Sequence, residues 1–361
     1  MTEATQNPTL KLLFLSTPVG VLGSGIGGGV ELTLYNLARE MMRCGHQVRV
    51  VAPKGSQMEG IPIVEIPGNL QQAAQIQSRD TPVEMPEDSV LAEMWDYARR
   101  VQGDWDLIVN FAFDWLPFYL TPFFQCKIAH FISMGSMTMA LDRAMEKIAL
   151  EFPTTIGVYT RSQAETFPFA STCRILGSGI DLSLYKFCAK PENALAWLGR
   201  IAPEKALEDA VEAAQMTGIP LKIFGKIQDE KYWKDICKNH PNAPIEYRGF
   251  LSTCELQSEV RQCRAVLMTP RWIEAFGNVA IEALACGVPV ISYRRGGPAE
   301  IVRDAQTGFL VEPDSVAGLV DAIARIDEID RSACRQQAER EYSLTALGDR
   351  FEAWFQDILK A

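Results

Sequence analysis

The stretch EAFGNVAIEALACGVPVISYRRGG, Glu274 to Gly297, decides the fold. Its middle, Gly277 to Cys286, has helical length, stops at Gly287 as a helix C-terminus does, and leads through Pro289 into the short apolar strand VPVIS. A helix running straight into a buried strand is one layer of an α/β fold. Val279, Ala280, Ile281, Ala283, Leu284 and Ala285 leave this helix no polar face, so it is expected to be buried all round with Glu282 its only charge. Glu274 stands just before the helix, where unpaired N–H groups and the positive end of the dipole favour anions. The two carboxylates therefore bracket a helix N-terminus able to receive a phosphate. The open alternative is a structural Glu282 bonded to nearby backbone, with Glu274 solvated.

At 361 residues, 47% hydrophobic and 22% charged, the chain is long enough for two domains with full cores. Its formal net charge of −10 argues against a broad nucleic-acid or anionic-membrane surface. Its nine cysteines contain no C-x-x-C pair and several fall inside apolar patterns, so they read as the reduced thiols of a cytoplasmic protein. With three histidines and no clustering of these with cysteines, no metal site is expected. The polar start MTEATQNPT lacks the basic-then-apolar order of a signal peptide, and no apolar run reaches membrane-spanning length.

From the start of the chain, KLLFLST reads as a buried first strand, ELTLYNLAREMMRCGH as an amphipathic helix and QVRVVAP as a second strand. The connection between the first strand and the helix is glycine-laden and lies at a strand's carboxyl end, where open α/β sheets bind ligands. Its Gly23-x-Gly25-x-x-Gly28 spacing matches a dinucleotide fingerprint. The loop is longer than that tight turn, however, and the second strand ends in Ala52, Pro53 and Lys54 with no ribose-binding acid, which counts against an NAD-dependent oxidoreductase. A Gly27-Gly28-Gly29 loop whose backbone closes on a phosphate or sugar is the preferred reading, with a merely mobile loop left open.

Residues 69–90 are polar and rich in Gln, and read as a helix and a loop. FAFDWLPFYLTPFF, Phe111 to Phe124, gathers seven aromatics around Asp114; they serve either as core or, with Trp115, as a stacking wall for a flat substrate. His130 falls near the end of an apolar strand, where a lone histidine reads first as a satisfied core group. After a boundary at Asp181 to Asn193 the βα alternation starts afresh with ALAWLGR. The fold class is therefore α/β: two doubly wound domains, residues 1–181 and 182–342, with an amphipathic C-terminal helix over 343–361 returning to the first. Arg200 and Lys205 follow the first strand of the second domain at the mouth of a helix, spaced to straddle a diphosphate or, alternatively, standing as surface charges.

In combination these features resemble the family 4 retaining glycosyltransferases of GT-B fold. The resemblance covers nearly the whole chain and is carried by GIDLSLY (Gly179 to Tyr185), PRWIEAFG (Pro270 to Gly277), ACGVPVIS and GGPAEIV. The opening STPVGVLGSGIGGGVELT is also similar to the cyanobacterial enzymes that transfer glucose from UDP-glucose to tetrahydrobiopterin. The resemblance implies two Rossmann-like domains facing across a cleft, a nucleotide sugar as co-substrate with UDP-glucose first in line, a small soluble hydroxyl acceptor, and neither cofactor nor metal. It implies that Arg200 and Lys205 hold the donor diphosphate, that Glu274 holds sugar hydroxyls and that Glu282 holds the ribose. Backbone groups of Ala275, Phe276 and Gly277 would touch sugar and phosphate, and Gly28 and Gly29 would close over them. His130 corresponds to an active-site histidine, and Asp114, Trp115 and His130 would line the acceptor. The chain departs from the pattern at Ala275, where proline is frequent, and at Trp272 and Ile273, where small polar residues stand. A non-catalytic sugar-nucleotide-binding protein remains the other open reading.

Overall fold

The computed structural model describes residues 8–24, 28–72 and 78–361. The chain divides into two compact units: one reaches Gly177 and takes in Leu347–Ala361, and the other is Ser178–Ala346.

In the first unit seven strands, β1 (Lys11–Leu15), β2 (Gln47–Pro53), β3 (Ile63–Ile66), β4 (Leu107–Asn110), β5 (Lys127–Ile132), β6 (Ile156–Val158) and β7 (Arg174–Ile175), form one parallel sheet in the order β3-β2-β1-β4-β5-β6-β7. The central strands are continuous apolar runs, KLLFL, LIVN and KIAHFI, because helices cover both faces of a parallel sheet. Those helices are α1 (Gly29–Arg43), α2 (Val90–Val101), α3 (Trp115–Leu120), α4 (Met139–Glu151) and α5 (Arg161–Ala164). α3 interrupts the aromatic run that the sequence left without an element, and Asp114 caps it by accepting from Leu116 N at 3.2 Å. No helix forms among the described residues between Asn69 and Ser89; α2 begins only after Ser89, whose hydroxyl caps it.

The second unit repeats the plan. Strands β8 (Leu195–Leu198), β9 (Leu221–Phe224), β10 (Ile245–Gly249), β11 (Ala265–Met268), β12 (Val290–Tyr293) and β13 (Gly308–Val311) lie parallel in the order β10-β9-β8-β11-β12-β13. Around them are α6 (Leu207–Thr217), α7 (Glu230–Asn239), α8 (Thr253–Val260), α9 (Asn278–Ala285), α10 (Pro298–Ile301), α11 (Val316–Ala324) and α12 (Arg331–Glu341). In both sheets the chain turns outward in opposite directions from neighbouring strands, β1 and β4 in one and β8 and β11 in the other. Such a topological switch opens a crevice at the carboxyl ends of the strands.

The last helix, α13 (Leu344–Lys360), places Phe351, Trp354, Phe355 and Ile358 in the core of the first unit. Its fit there depends on Gly157 in β6: a Cβ at that position would come within 3.0 Å of the Trp354 ring. Trp354 Nε1 donates to Thr154 O at 2.6 Å, and Lys127 Nζ caps the end of the helix on Ile358 O at 3.0 Å. Among the described residues no helix is long and apolar enough to cross a membrane. Trp354→Ala is expected to lower the stability of the first unit by about 3–5 kcal/mol, which a urea titration followed by circular dichroism checks as an early transition separated from that of the second unit.

Candidate functional site

At the switch point of the second unit, the turn after β8 and the loop after β11 are built against each other. The turn Pro203–Lys205 ends at Ala206, which adopts the left-handed conformation at φ 47° and opens α6. A non-glycine residue there costs about 1 kcal/mol or more and needs support. Thr269, just beyond β11, supplies it: its hydroxyl lies 2.8 Å from Ala206 O and 3.0 Å from Lys205 O, and accepts from Trp197 Nε1 at 3.2 Å. Arg271 N donates to Glu204 O at 2.9 Å, and the Arg271 guanidinium pairs with Asp209 at 2.8 Å and with Glu208. Lys205 is thereby fixed from the neighbouring strand.

The loop carrying Glu274 is braced by glycines. Gly297 N donates to Glu274 O at 2.7 Å, while Gly296, at φ 65°, passes so close that a Cβ would stand 2.7 Å from Glu274 N and O. Gly277 caps α9 at φ 100°, where a Cβ would meet Pro298 at 2.8 Å. Only glycine combines these dihedral angles with these approaches. The Gly297 N–H is thus committed to Glu274.

The side chains at this place converge. Lys205 Nζ bonds Glu274 Oε2, and Trp272 Nε1 donates to the same oxygen at 3.0 Å. The Lys205 ammonium also stands 5.1 Å from the centroid of the Trp272 ring. Glu274 is thus no solvated loop residue: both partners of the pair are about four-fifths buried, with 19% and 18% of their side chains exposed. Arg200 bonds Gln228 and pairs with Glu204 at 3.0 Å, leaving it more exposed than Lys205.

Glu282, on α9, keeps partial solvent contact on a helix whose other central residues are buried. Desolvation pushes its carboxyl up to about 7, and a hydrogen bond from Tyr185 partly offsets that rise. Tyr185, Gln257, Cys286 and Glu282 border a cavity of about 20 Å³, room for a single water. Tyr185 was visible in the GIDLSLY motif, but nothing in the sequence paired it with a carboxylate some hundred residues away.

In the first unit, Asp114 and Trp115 follow β4 at its carboxyl end. Gln71 Nε2 donates to Asp114 Oδ2 at 2.5 Å, and burial raises the Asp114 pKa against these hydrogen bonds. Trp115 stacks on Tyr119 with centroids 4.4 Å apart. Beyond β5, Arg79 bonds Ser136 and pairs with Asp142 at 2.9 Å, and Ser136 Oγ donates to Asp142 Oδ2 at 2.7 Å. Gln71, Arg79, Ser136 and Asp142 were not singled out in the sequence; two of them come from the polar stretch 69–90, read there only as a helix and a loop. Gly28 stands at φ 59° and Gly29 opens α1, while Gly25 and Gly27 lie outside the described residues.

His130 sits deep in the first unit. It lies within β5, paired in register with Asn110 and Ile156, and its side chain is 0% exposed. Its ring stacks on Phe118 with centroids 4.5 Å apart, its Nδ1 lies 3.2 Å from Asn110 Nδ2, and its Nε2 lies 2.8 Å from Thr121 Oγ1. Thr121 spends its own proton on Pro117 O at 2.8 Å, so Nε2 is the donor and Nδ1 the acceptor of a neutral ring. Burial lowers the pKa to about 3. β5 is buried on both faces from Ile128 to Ile132, which puts His130 in the core, and the chain leaves the carboxyl edge of the strand through Ser133 to Ser136.

Three comparisons bear on this geometry. Residues 187–341 match the family model of glycosyl transferases group 1. Glycogen synthase of Mycobacterium tuberculosis is 28% identical over 189 residues, 50% of this chain and 45% of the relative. D-inositol 3-phosphate glycosyltransferase of Arthrobacter sp. is 35% identical over 201 residues, 47% of this chain and 45% of the relative. The chain spans about half the length of the curated relatives it matches. Among solved structures, Anabaena Alr3699/HepE in complex with UDP and glucose superposes with a TM-score of 0.75 at 17% identity, over 96% of this chain and 100% of that one.

Two titrations of opposite sign follow. His130 has its folded pKa below the unfolded value of 6.5, so its contribution is present above that pH and is lost as pH falls toward 3. At pH 5 the loss is about 2 kcal/mol, and His130→Gln is expected to flatten the fall in thermal midpoint between pH 7 and pH 5. Turnover per folded molecule in that variant should escape the ~10²-fold or greater loss typical of removing an acid–base catalyst. Glu282 has its folded pKa above the unfolded 4.5, so its contribution is present below pH 4.5 and is lost as pH rises through 7. Glu282→Gln should therefore match the wild-type midpoint near pH 4 and exceed it at pH 8.

Residues 187–341, most of the second unit, are thus similar to the glycosyl transferases group 1, and the chain has the GT-B fold.

Proposed function

We propose that the protein is a glycosyltransferase that moves a sugar from a nucleotide sugar to a hydroxyl of a small soluble acceptor. The observation that carries this reading is the meeting of Lys205 and Glu274 at the switch point, just before the N-terminus of α9. A sugar diphosphate asks for this combination: a cation and helix N–H groups for the phosphates, and a carboxylate for the sugar hydroxyls.

In the proposed reaction the acceptor oxygen bonds to the anomeric carbon as the bond from that carbon to the phosphate oxygen breaks. The acceptor proton passes to a phosphate oxygen, and the nucleoside diphosphate leaves with both bonding electrons. Negative charge grows on the departing diphosphate, where Lys205 and Arg200 stabilise it more than they stabilise the intact donor. This charge stabilisation needs no metal ion. Glu282 serves the ribose, and the anomeric configuration is retained, as the family resemblance implies. The second unit is assigned to the donor and the first to the acceptor.

The finer reading is glucose from UDP-glucose, transferred to a pteridine such as tetrahydrobiopterin. The resemblance of residues 16–33 supports it, as does the stacked Trp115–Tyr119 pair beside Asp114 at the end of β4. The presence of UDP and glucose in the HepE structure supports the donor.

A thermal-shift panel of UDP, GDP, ADP, their glucose conjugates and NAD tests the donor, because a ligand that binds only the folded state raises the midpoint by mass action. UDP and UDP-glucose are expected to raise it; stabilisation by NAD alone would replace this reading with an oxidoreductase. Lys205→Ala should remain folded and lose about 10²–10³-fold in kcat, measured by UDP release. Mass detection of a glucosylated pteridine checks the acceptor, and its absence while other hydroxyl acceptors react would remove the pteridine.

A further inference from the structure

Glu274 receives both of its hydrogen bonds on one oxygen. Lys205 Nζ and Trp272 Nε1 both donate to Oε2, and among the described residues Oε1 accepts none. The carboxylate plane is held by two donors arriving from different directions, one on a flexible side chain and one on a rigid ring. Lys205 is itself held twice, by Oε2 and by the face of the Trp272 ring 5.1 Å away. Trp272 thus touches both charges.

This arrangement has a consequence for any ligand that uses Lys205. The cation is neutralised by Glu274, and a phosphate must draw the ammonium away from Oε2. Lysine has four rotatable carbons and moves easily. Glu274 would then lose its stronger partner and, without a second tether, its orientation. The indole N–H remains when the ammonium leaves, because the ring lies in a loop fixed by Thr269, by Arg271 and by the Gly297 bond to Glu274 O.

We propose that Trp272 is a positioning residue for Glu274: its N–H keeps Oε2 in place while Lys205 passes to the phosphate, so that Oε1 is aimed at a sugar hydroxyl before the sugar arrives. The proposal rests on the transferase reading above and sets the donor-sugar selectivity of that site. Trp272 acts through Glu274 and need not touch the donor. The cation–π contact holds the ammonium beside Glu274 and gives it up when a phosphate draws it away, so its contribution to the bound state is small. The hydrogen bond is what the bound state keeps.

Two substitutions separate these contributions. Trp272→Phe keeps an aromatic face for Lys205 and removes the N–H; Trp272→Gln removes the ring and keeps an N–H donor. Calorimetry gives the affinities for UDP and for UDP-glucose, and their ratio isolates the sugar's increment. Steady-state transfer gives kcat/KM for UDP-glucose and for its C4 epimer. In Trp272→Phe the UDP affinity is expected to stay within about twofold of wild type, while the extra affinity conferred by glucose disappears. The kcat/KM for UDP-glucose is expected to fall by roughly tenfold or more, as for loss of one hydrogen bond to a charged group, and the preference between the two sugars to narrow. Trp272→Gln is expected to recover part of both. A Trp272→Phe enzyme with wild-type sugar increment and selectivity overturns the proposal. So does an equal loss of UDP and UDP-glucose affinity in both variants, which would mark Trp272 as mere support for the loop. If the wild-type chain binds UDP yet transfers no sugar, the transferase reading falls and Trp272's role in it falls too, an outcome distinct from a failure confined to the variants.

Discussion

Lys205 and Glu274 are brought together by two turns that belong to adjacent strands but to opposite directions of the chain's progress through the sheet. Everything near them serves that meeting. Burying four-fifths of each charged side chain costs solvation free energy that only a close partner recovers. The backbone accordingly accepts a left-handed alanine at 206, and three glycines at 277, 296 and 297 let two loops press together. A pair of opposite charges fixed this firmly at a switch point is poorly explained by stability alone, since replacing such a pair with well-packed apolar residues is often neutral or stabilising. Its place at the ligand edge of the sheet explains it better.

The same plan of strands occurs in both units, yet they treat charge differently. In the second unit, cations and carboxylates gather within a short span after β8 and β11. In the first unit the strand ends are served from a distance. Gln71 reaches Asp114 across 43 residues, and Arg79 reaches Ser136 across 57. The polar stretch before α2 therefore supplies side chains to two strand ends while forming no helix among its described residues. A polar loop that crosses a ligand edge is free to vary without disturbing the sheet beneath it.

How far the sequence could be read follows from the same contrast. The parallel strands were legible because an uninterrupted apolar run such as LIVN or AVLM has few other uses. The α9 helix was legible from Gly277 and Gly287 at its two ends. Arg200, Lys205, Glu274 and Glu282 could be singled out because each stands at a fixed offset from a strand or helix end. Trp272 was noticed only as a departure, since a loop tryptophan carries no mark of the carboxylate it will bond. His130 lies inside β5, which continues past it to Ile132 and is buried on both faces. Composition could not reveal that Asn110, Thr121 and Phe118 close around it, because those partners come from another strand and from the helix between.

His130 and Glu282 show what burial alone does to a charge and what a partner adds. Both are perturbed chiefly by desolvation, toward the neutral form in each case. His130 has an acceptor for its one N–H and a donor for its lone pair, a complete set for a neutral ring, and adding a proton would bring it against the Asn110 amide N–H. Such a group is finished structurally. Among the described residues Glu282 has the Tyr185 hydroxyl as its hydrogen-bond partner, with partial solvent contact and a water-sized cavity beside it, so its bonding capacity toward them is only partly used. An unfinished carboxylate at a ligand edge and a finished histidine in the core can both look like perturbed titratable groups. The unspent hydrogen-bonding capacity, more than the size of the shift, is what separates a group available to a ligand from one already committed to the fold.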